Sequence, residues 1–425
     1  TTGTFSVWTK MGNPGADNIL FGGHTDVNNR SYIYFSDPDG YVGIFSRTSG
    51  SADIAYNSNG RFRDPSAWYH VVVAIDTTDG TAGNRFKMYI NGTQYTDWGT
   101  ATAPSQNASL PILNQAAQTV GGGYGSSAVS AMAEGYMADA YYIDGQQKAA
   151  SDFGETDDNG VWIPKKYDGT YGTNGFKLEF QQTGTGTASA STIGADTSGS
   201  DNHLTSNNLA ATDVTVDTPT NNFCTWNPLI GRAAAYATFA EGNLDADFTS
   251  GSVYYRATGS IGVTSGKWYA EIKCIDDGGN TDLKIGVEHA SPDQTTIDGV
   301  HKVIQSWNGH KASGGSASSF GDSYADGDIV GVLLDMDNGT IKFSKNGTMM
   351  ASSASAYTDL ISAMPESGWA FFAYGYDDAN VQANFGNAPF SISSGNADAN
   401  GYGNFEYAVP NGYYALCTKN LATYG

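Results

Sequence analysis

The stretch DGDIVGVLLDMDNGTIKFSKNG, residues 326–347, determines the interpretation of the second half of the chain. The apolar residues 329–334 lead into Asp335-Met-Asp-Asn-Gly339, a segment with the composition of a turn. Ile341 and Phe343 alternate with polar residues and are followed by an Asn-Gly pair at 346–347. Alternating apolar residues between such turns are typical of antiparallel β-strands. This stretch therefore predicts a β-hairpin that continues into a further turn.

The flanking segments carry a family resemblance. They are SGKWYAEIKCI (265–275), DLKIGVEHA (282–290) and WAFFAYGYDDANVQANFG (369–386). With the hairpin they resemble a SPRY domain, whose core hairpin has the same Leu-Asp, Gly, Ile-x-Phe and Asn-Gly positions. The resemblance implies a β-sandwich over residues 251–388 that binds a protein or another ligand through variable loops.

A second strand pair, WYHVVVAID (68–76) and RFKMYINGTQ (85–94), organises the first third of the chain. Val71, Val73 and Ile75 point to one face of the predicted strand, while Val72 and Ala74 point to the other. Both faces are apolar, which predicts a central strand covered on two sides.

This strand pair resembles the central hairpin of laminin-G-like, concanavalin-type domains. The matching residues are Trp68, His70, Tyr89, Asn91 and Gly92. Members of this family often bind glycans, sometimes through calcium, and some hydrolyse them. The resemblance implies a β-sandwich over residues 1–148.

Between the two sandwiches, residues 149–250 are too rich in aromatic rings for a flexible linker. The rings are those of Trp162, Tyr167, Tyr171, Phe176, Phe180, Phe223 and Trp226. We therefore expect an all-β protein of two concanavalin-like antiparallel β-sandwiches, laminin-G-like and SPRY, joined by an ordered, mostly irregular connector. Residues 389–425 are predicted to form an extension that packs on a domain.

Charge and composition exclude several classes of function. The net charge of −22 argues against binding to nucleic acid or to an anionic membrane surface. The sequence contains no apolar run long enough to span a bilayer. Three cysteines are too few for a disulfide scaffold, although a Cys224–Cys417 bridge stays open.

The candidate ligand-binding residues lie in predicted loops of the SPRY-like sandwich. Aromatic and polar side chains there can stack on sugar rings or peptide groups. The alternative is that the rings pack under their own loops and the acids are solvated turn residues. The candidates are Trp307, Asn308, His310, Tyr376, Asp377 and Asp378, whereas Tyr374 shares a face with Phe372 and is expected in the core.

In the first sandwich, a calcium site could use oxygen ligands from turn-like segments, although turn initiation is the commoner role of such residues. These candidates are Asp17, Asp26, Asp37 and Asp39. We expect no required cofactor. The nearest approach to a glycosidase carboxylate pattern, Glu155-Thr-Asp157-Asp158, lies in the connector and lacks the second Glu, so we expect no enzyme.

The module order and the connector resemble tail and virion-associated proteins of bacteriophages. This implies a non-enzymatic virion surface protein, a tail fibre or a tail- or capsid-associated adhesin, that contacts host cell-surface polysaccharide. The alternatives are a structural virion protein whose sandwiches bind other virion proteins, and a secreted, extracellular prokaryotic adhesin or filament component. Phage fibres are commonly trimers, but the sequence has no heptad repeat to specify one. Because the chain opens at Thr1 already in a strand-like segment, we expect upstream residues.

Overall fold

The computed structural model describes residues 2–12, 17–36, 39–114, 117–124, 129–130, 132–230, 237–248, 254–279, 283–290, 301–376 and 378–425. The chain forms two compact units, Thr1–Val214 and Thr215–Gly425. The division falls inside the stretch that the sequence marks as a connector. Residues 149–214 belong to the first unit and residues 215–250 to the second.

The first unit is built of short strands with few helical turns. Its strands are β1 (Thr2–Met11), β2 (Asn18–Asp26), β3 (Asn29–Phe35), β4 (Val42–Thr48), β5 (Ser51–Ser58), β6 (Trp68–Asp76), β7 (Phe86–Ile90), β8 (Thr93–Tyr95), β9 (Trp98–Thr102), β10 (Ala117–Val120), β11 (Gly123–Tyr124), β12 (Val129–Ser130), β13 (Gly135–Asp144), β14 (Gly154–Thr156), β15 (Trp162–Pro164) and β16 (Phe176–Leu178). Helix α1 is Pro111–Asn114, and 3-10 turns lie at Ala82–Asn84, Ala150–Asp152 and Ala211–Asp213.

Two six-stranded antiparallel sheets form this sandwich, in the orders β16-β13-β1-β6-β7-β8 and β10-β2-β3-β4-β5-β9. Their facing sides enclose the main core, and β6 lies near the middle of the first sheet. Val71, Val73 and Ile75 enter that core, whereas Val72 packs in a smaller cluster on the other face. The predicted central strand is therefore confirmed. The Asn91-Gly92 turn after β7 has φ values of 47° and 81°, which these residues tolerate well.

The connector residues of this unit are held by their rings, as the sequence predicts. Phe153 and Tyr167 stack at 5.2 Å on the outer side of the first sheet, beside Tyr141. Phe176 lies in β16, which pairs with β13 and extends that sheet. An irregular segment thus closes one face and one edge of the sandwich.

The second unit has the same kind of construction. Its strands are β17 (Thr238–Ala240), β18 (Asp245–Asp247), β19 (Tyr254–Thr258), β20 (Lys267–Asp276), β21 (Lys284–His289), β22 (His301–Gln305), β23 (Lys311–Ser313), β24 (Ser316–Ser318), β25 (Ile329–Asp335), β26 (Thr340–Lys345), β27 (Thr348–Met349), β28 (Trp369–Tyr376), β29 (Asn380–Asn384) and β30 (Tyr414–Ala415). A 3-10 turn lies at Met350–Ser353, and helix α2 is Thr418–Tyr424.

The sheets of the second unit have the orders β17-β18-β29-β20-β25-β26-β27 and β19-β28-β21-β22-β23-β24, and β30 adds to β20 in parallel. The predicted hairpin of residues 326–347 is β25 and β26, which pair from Asp335↔Thr340 to Val330↔Lys345. Asn346 and Gly347, with φ of 48° and 76°, turn the chain into β27. Strands β17 and β18 come from the connector and pair onto β29, so this half of the connector also extends a sheet.

A buried carboxylate fastens the C-terminal extension to this sandwich. Glu271 on β20 accepts hydrogen bonds from the backbone N–H groups of Glu406 (2.9 Å) and Tyr407 (2.8 Å). It also accepts from the Tyr269 hydroxyl and the Asn384 amide, both at 3.1 Å. Burial raises the pKa of Glu271, and these hydrogen bonds oppose the rise. The extension is therefore an integral layer of the second unit.

The cysteines Cys224, Cys274 and Cys417 are buried free thiols, so the Cys224–Cys417 bridge that the sequence left open is not formed. Among the described residues, no helix has the length and apolar character that crossing a membrane requires.

Candidate functional site

The most exposed large ring among the sequence-predicted ligand residues is Trp307, which follows β22 and is 37% exposed. Lys284 on β21 lies between it and Tyr374 on β28. The Lys284 ammonium is 5.9 Å from the centre of the Trp307 ring and 5.1 Å from that of Tyr374. A lysine shared by two rings is a favourable cation–π arrangement.

Behind Lys284 the rings continue as a stacked row. Tyr374 stacks on Phe372 at 6.0 Å and on His301 at 6.4 Å, and Tyr374 is only 7% exposed. The expectation that Tyr374 is a core residue is confirmed. We call Lys284, His301, Trp307, Phe372 and Tyr374 the aromatic–lysine cluster. His301, Phe372 and Tyr374 are buried, Lys284 is half-buried, and Trp307 is the most exposed member.

The sheet that carries this cluster contains a buried ion pair. Arg256 on β19 lies opposite Tyr374 of β28 in the strand register, and its Nη2 is 3.2 Å from Glu288 Oε2 on β21. The two side chains are 2% and 0% exposed, and the Thr258 hydroxyl also bonds to Glu288. Burial raises the pKa of Glu288 to about 7, against the opposing attraction of Arg256. The pair links the outer strand β19 to β21, across β28.

The other predicted ligand residues lie close by in sequence but are occupied differently. The Asn308 side chain accepts a hydrogen bond from the His310 backbone N–H at 2.8 Å, within the tight loop between β22 and β23. Tyr376 ends β28, two residues beyond Tyr374. Asp378 has a left-handed φ of 72°, and Asp377 lies outside the described residues. Lys284 of β21 thus lies between Trp307 and β28, the strand that ends at Tyr376, and the Asn308 side chain is used by the loop itself.

An acidic group at the ends of neighbouring strands was missed by the sequence analysis. The carboxylates of Asp276, Asp277 and Asp326 lie within 4.8 Å of one another, where β20 ends and β25 is about to begin. The sequence could have predicted this group, because Asp-Asp-Gly-Gly (276–279) stands at the end of β20 and Asp-Gly-Asp (326–328) precedes β25, its antiparallel neighbour. Exposed acidic groups are common without an ion, so we assign no metal here.

The predicted calcium ligands of the first unit are not assembled into such a group in the part of the chain that the structure describes. Asp26 accepts hydrogen bonds from the backbone N–H groups of Asn28 and Asn29, which makes it a turn residue. The hydrogen bond from the Asn29 side-chain amide and then these backbone hydrogen bonds lower the pKa of Asp26. Asp39 lies 3.9 Å from Arg61, Asp17 influences the titration of Tyr32 and Tyr34, and Asp37 lies outside the described residues.

A serine and a histidine do meet in the first unit, and their geometry argues against nucleophilic catalysis. Ser6 Oγ is 2.8 Å from His70 Nε2, and the Trp162 indole N–H donates to His70 Nδ1 at 3.0 Å. An indole nitrogen only donates, so Nδ1 must accept and the histidine proton lies on Nε2. His70 therefore donates to Ser6 and cannot remove its proton. Burial also lowers the pKa of His70 to about 3, and Trp8 stacks on the ring at 4.7 Å.

The nearest string to a glycosidase pattern is equally unsuited. Glu155 lies exposed in β14, and Asp157 accepts hydrogen bonds from the N–H groups of Asn159 and Val161 in the turn to β15. These carboxylates belong to a surface hairpin.

Comparison with known families agrees with both sandwiches. Residues 1–140 match the family described as the concanavalin A-like lectin/glucanases superfamily (Laminin_G_3), and residues 267–365 match the SPRY domain family. The chain joins a laminin-G-like sandwich to a SPRY domain.

Curated relatives match between 32% and 39% of the chain. Ran-binding protein 9 of Danio rerio is 28% identical over 139 residues, which are 32% of this chain and 22% of the relative. Ran-binding protein 9 of Homo sapiens is 27% identical over 139 residues, which are 18% of its length. The chain thus spans about a fifth of the length of these relatives. Among solved structures, the SPRY domain of human HERC1 aligns with 20% identity and a TM-score of 0.30, over 37% of this chain and 96% of that one.

Proposed function

We propose that this chain is a non-enzymatic binding protein of a virion surface, either tail- or capsid-associated, and that it contacts host-surface glycans. The observation that carries the proposal is the aromatic–lysine cluster of the SPRY domain. Its exposed ring, Trp307, lies 5.9 Å from the Lys284 ammonium, which also lies over the buried Tyr374 ring. An exposed aromatic ring suits stacking on sugar or peptide groups.

Two observations support the non-enzymatic part of the proposal. Neutral His70 carries its proton on Nε2 and so cannot remove the proton of Ser6, and Glu155 and Asp157 lie in a surface hairpin. The virion location draws support from the resemblance in module order and connector. We therefore propose an extracellular location, and a secreted prokaryotic adhesin is the alternative.

Binding of the full chain to an array of bacterial surface glycans, with calcium and then with chelator, tests the proposal. We expect saturable binding to a few related glycans, and Trp307→Ala should weaken it about tenfold, as for the loss of one stacking platform. The control is Leu209→Ala, since Leu209 is an exposed apolar residue of the other unit. Loss of binding on chelation would add a calcium site. Absence of binding in both conditions would refute glycan contact.

A protein partner is the second candidate, because the chain contains a SPRY domain and matches relatives named as Ran-binding proteins. In this case the sandwiches would bind other virion proteins. Pull-down from disassembled virions with wild-type and Trp307→Ala chains tests it, and we expect one structural protein to be retained by the wild type and lost by the variant. Equal retention by both chains would exclude the Trp307 surface.

A further inference from the structure

The outer face of the second sheet of the laminin-G-like sandwich carries rings and arginines that the proposed function has not used. Along β3, Ser31, Ile33 and Phe35 are buried, and the alternate residues Arg30, Tyr32 and Tyr34 point outward and are half-buried. The same alternation on β4 turns Phe45 and Arg47 outward. We call Arg30, Tyr32, Tyr34, Phe45 and Arg47, with Tyr41 and Arg61, the arginine–aromatic face.

The strand register places like residues side by side on this face. Tyr32 pairs directly with Phe45, and Arg30 pairs directly with Arg47. Two positive charges directly opposite each other in an antiparallel pair destabilise a sheet. Strand pairing therefore does not explain why Arg30 and Arg47 lie opposite each other. A negatively charged ligand bound between them would offset their repulsion.

Four rings form a continuous run across the face. Ring centres are separated by 5.4 Å between Phe45 and Tyr32, 5.3 Å between Tyr32 and Tyr34, and 6.0 Å between Tyr34 and Tyr41. The Tyr34 hydroxyl donates to Asn57 Oδ1 on β5 at 2.9 Å, so its ring lies across β4.

A glycine makes this position of the Tyr34 ring feasible. A Cβ at Gly43 would lie 2.5 Å from Asn57 Oδ1 and 3.2 Å from the Tyr34 ring. Only a residue without a side chain lets the ring cross the strand and reach β5.

Each arginine of the face lies against a ring of the run. The guanidinium carbons of Arg30, Arg47 and Arg61 lie 5.8, 5.9 and 5.6 Å from the ring centres of Tyr32, Phe45 and Tyr41, respectively. Arg47 is further fixed by a hydrogen bond to the Gly50 carbonyl at 2.8 Å. Three of the chain's seven arginines are thus gathered on one face of a protein with a net charge of −22.

We propose that the arginine–aromatic face binds an acidic polysaccharide, with a ring of the run stacked under a sugar ring and with Arg30 and Arg47 bound to the sugar carboxylates. Arg61 already lies 3.9 Å from the Asp39 carboxylate. Tyrosine faces suit pyranose stacking, and the planar guanidinium matches a carboxylate with two parallel hydrogen bonds. A neutral glycan would leave the arginine charges unused. Nucleic acid is also a polyanion, so the test below includes single-stranded DNA. This inference rests on the proposed glycan contact and adds a second binding surface, on the first unit, and the class of glycan that it takes.

The test measures binding of the full chain to immobilised polygalacturonate, neutral dextran and single-stranded DNA. We expect saturable, salt-sensitive binding to polygalacturonate alone, since exposed charge contacts are screened by salt. Arg30→Ala and Arg47→Ala should each weaken binding about tenfold or more. Lys87→Ala is the matched control, because it removes one positive charge from β7 in the other sheet and should leave binding unchanged.

Arg30→Lys and Arg47→Lys guard against misfolding of the alanine variants. They keep the charge and lose the paired hydrogen bonds, so each should still weaken binding several-fold with an unchanged melting temperature. Glycan binding that is indifferent to these substitutions would overturn this face and leave the proposed function intact. Binding of DNA as tightly as polygalacturonate would also overturn it. Failure to bind any glycan would refute both proposals together.

Discussion

The buried pair Arg256–Glu288 makes an unequal prediction for its two partners. With 3.2 Å between the nearest charged atoms and an effective dielectric constant of about 20, their attraction is about 5 kcal/mol. Desolvation of two buried ions offsets most of that gain, so the pair as a whole stabilises the SPRY domain little. Removing one partner exposes the full cost of the other. That cost depends on whether the remaining group can become neutral.

An arginine cannot lose its proton in a protein, whereas a glutamate can gain one. Glu288→Leu leaves a buried guanidinium, and we expect it to reduce the free energy of unfolding by ~3–5 kcal/mol. Arg256→Met leaves a carboxyl whose pKa burial already raises to about 7, so it is easily protonated. The expected loss is only ~1–3 kcal/mol, the cost of a buried polar group that loses a partner. The double variant should lie within ~1 kcal/mol of wild type, because an apolar pair removes both desolvation costs.

Native-state hydrogen exchange of amides in β21 and β28 measures these differences in the full chain, because it reports on this sandwich alone. The same amides report the pH dependence. Because the pKa of Glu288 rises from 4.5 to about 7 on folding, its contribution to stability is full below pH 4.5 and is lost as the pH rises toward 7. Glu288→Gln should remove that slope. A larger loss for Arg256→Met than for Glu288→Leu, or a double variant as unstable as Glu288→Leu, would refute this reasoning.

Four further predictions concern the segments that pack on the sandwiches and the residues they contact. Trp162→Phe should cost ~1–3 kcal/mol, because His70 Nδ1 loses its buried donor, and chemical unfolding of the first unit measures this. In wild type, His70 should destabilise that unit as the pH falls below 6.5 toward 3, since its folded pKa lies at about 3; His70→Gln should flatten the acid limb of the melting curve. Glu271→Ala should cost more than ~3 kcal/mol and speed exchange of the Tyr407 amide, whereas unchanged exchange would show that the extension is held by other contacts. Gly92→Ala should lower the melting temperature of the first unit, because a Cβ there would lie 2.7 Å from the Trp162 ring and φ is 81°; an unchanged melting temperature would contradict the close approach.

The parts of the fold that could be predicted are those encoded in adjacent residues. The hairpin of β25 and β26 follows from period-2 alternation and from turn residues that accept left-handed φ. The aromatic–lysine cluster could be predicted only in part. Trp307 was selected as a ring in a loop, and Lys284 lies near it through the pairing of β21 with β22. The contact of Lys284 with Tyr374 depends on the register between β21 and β28, which are some ninety residues apart in the chain.

The aspartates of the first unit were predicted as possible calcium ligands, although the sequence around Asp26 already indicates a turn residue. Asp26 followed two residues later by Asn28 is a pattern for a side chain that bonds its own turn, and the structure shows that bond. The arginine–aromatic face left a readable signal that was overlooked. In NRSYIYF, the residues Arg30, Tyr32 and Tyr34 alternate with the apolar core positions, so one strand face already joins a charge to two rings.

Polar side-chain contacts attach two irregular segments of this protein to its sandwiches. Buried backbone N–H groups outside a sheet need acceptors, and here β20 supplies one through Glu271, which receives the amides of Glu406 and Tyr407. In the first unit the direction is reversed, and Trp162 of the connector donates to His70 on β6. In both cases a short or irregular segment is held to an inner strand of a sheet by a polar side-chain contact.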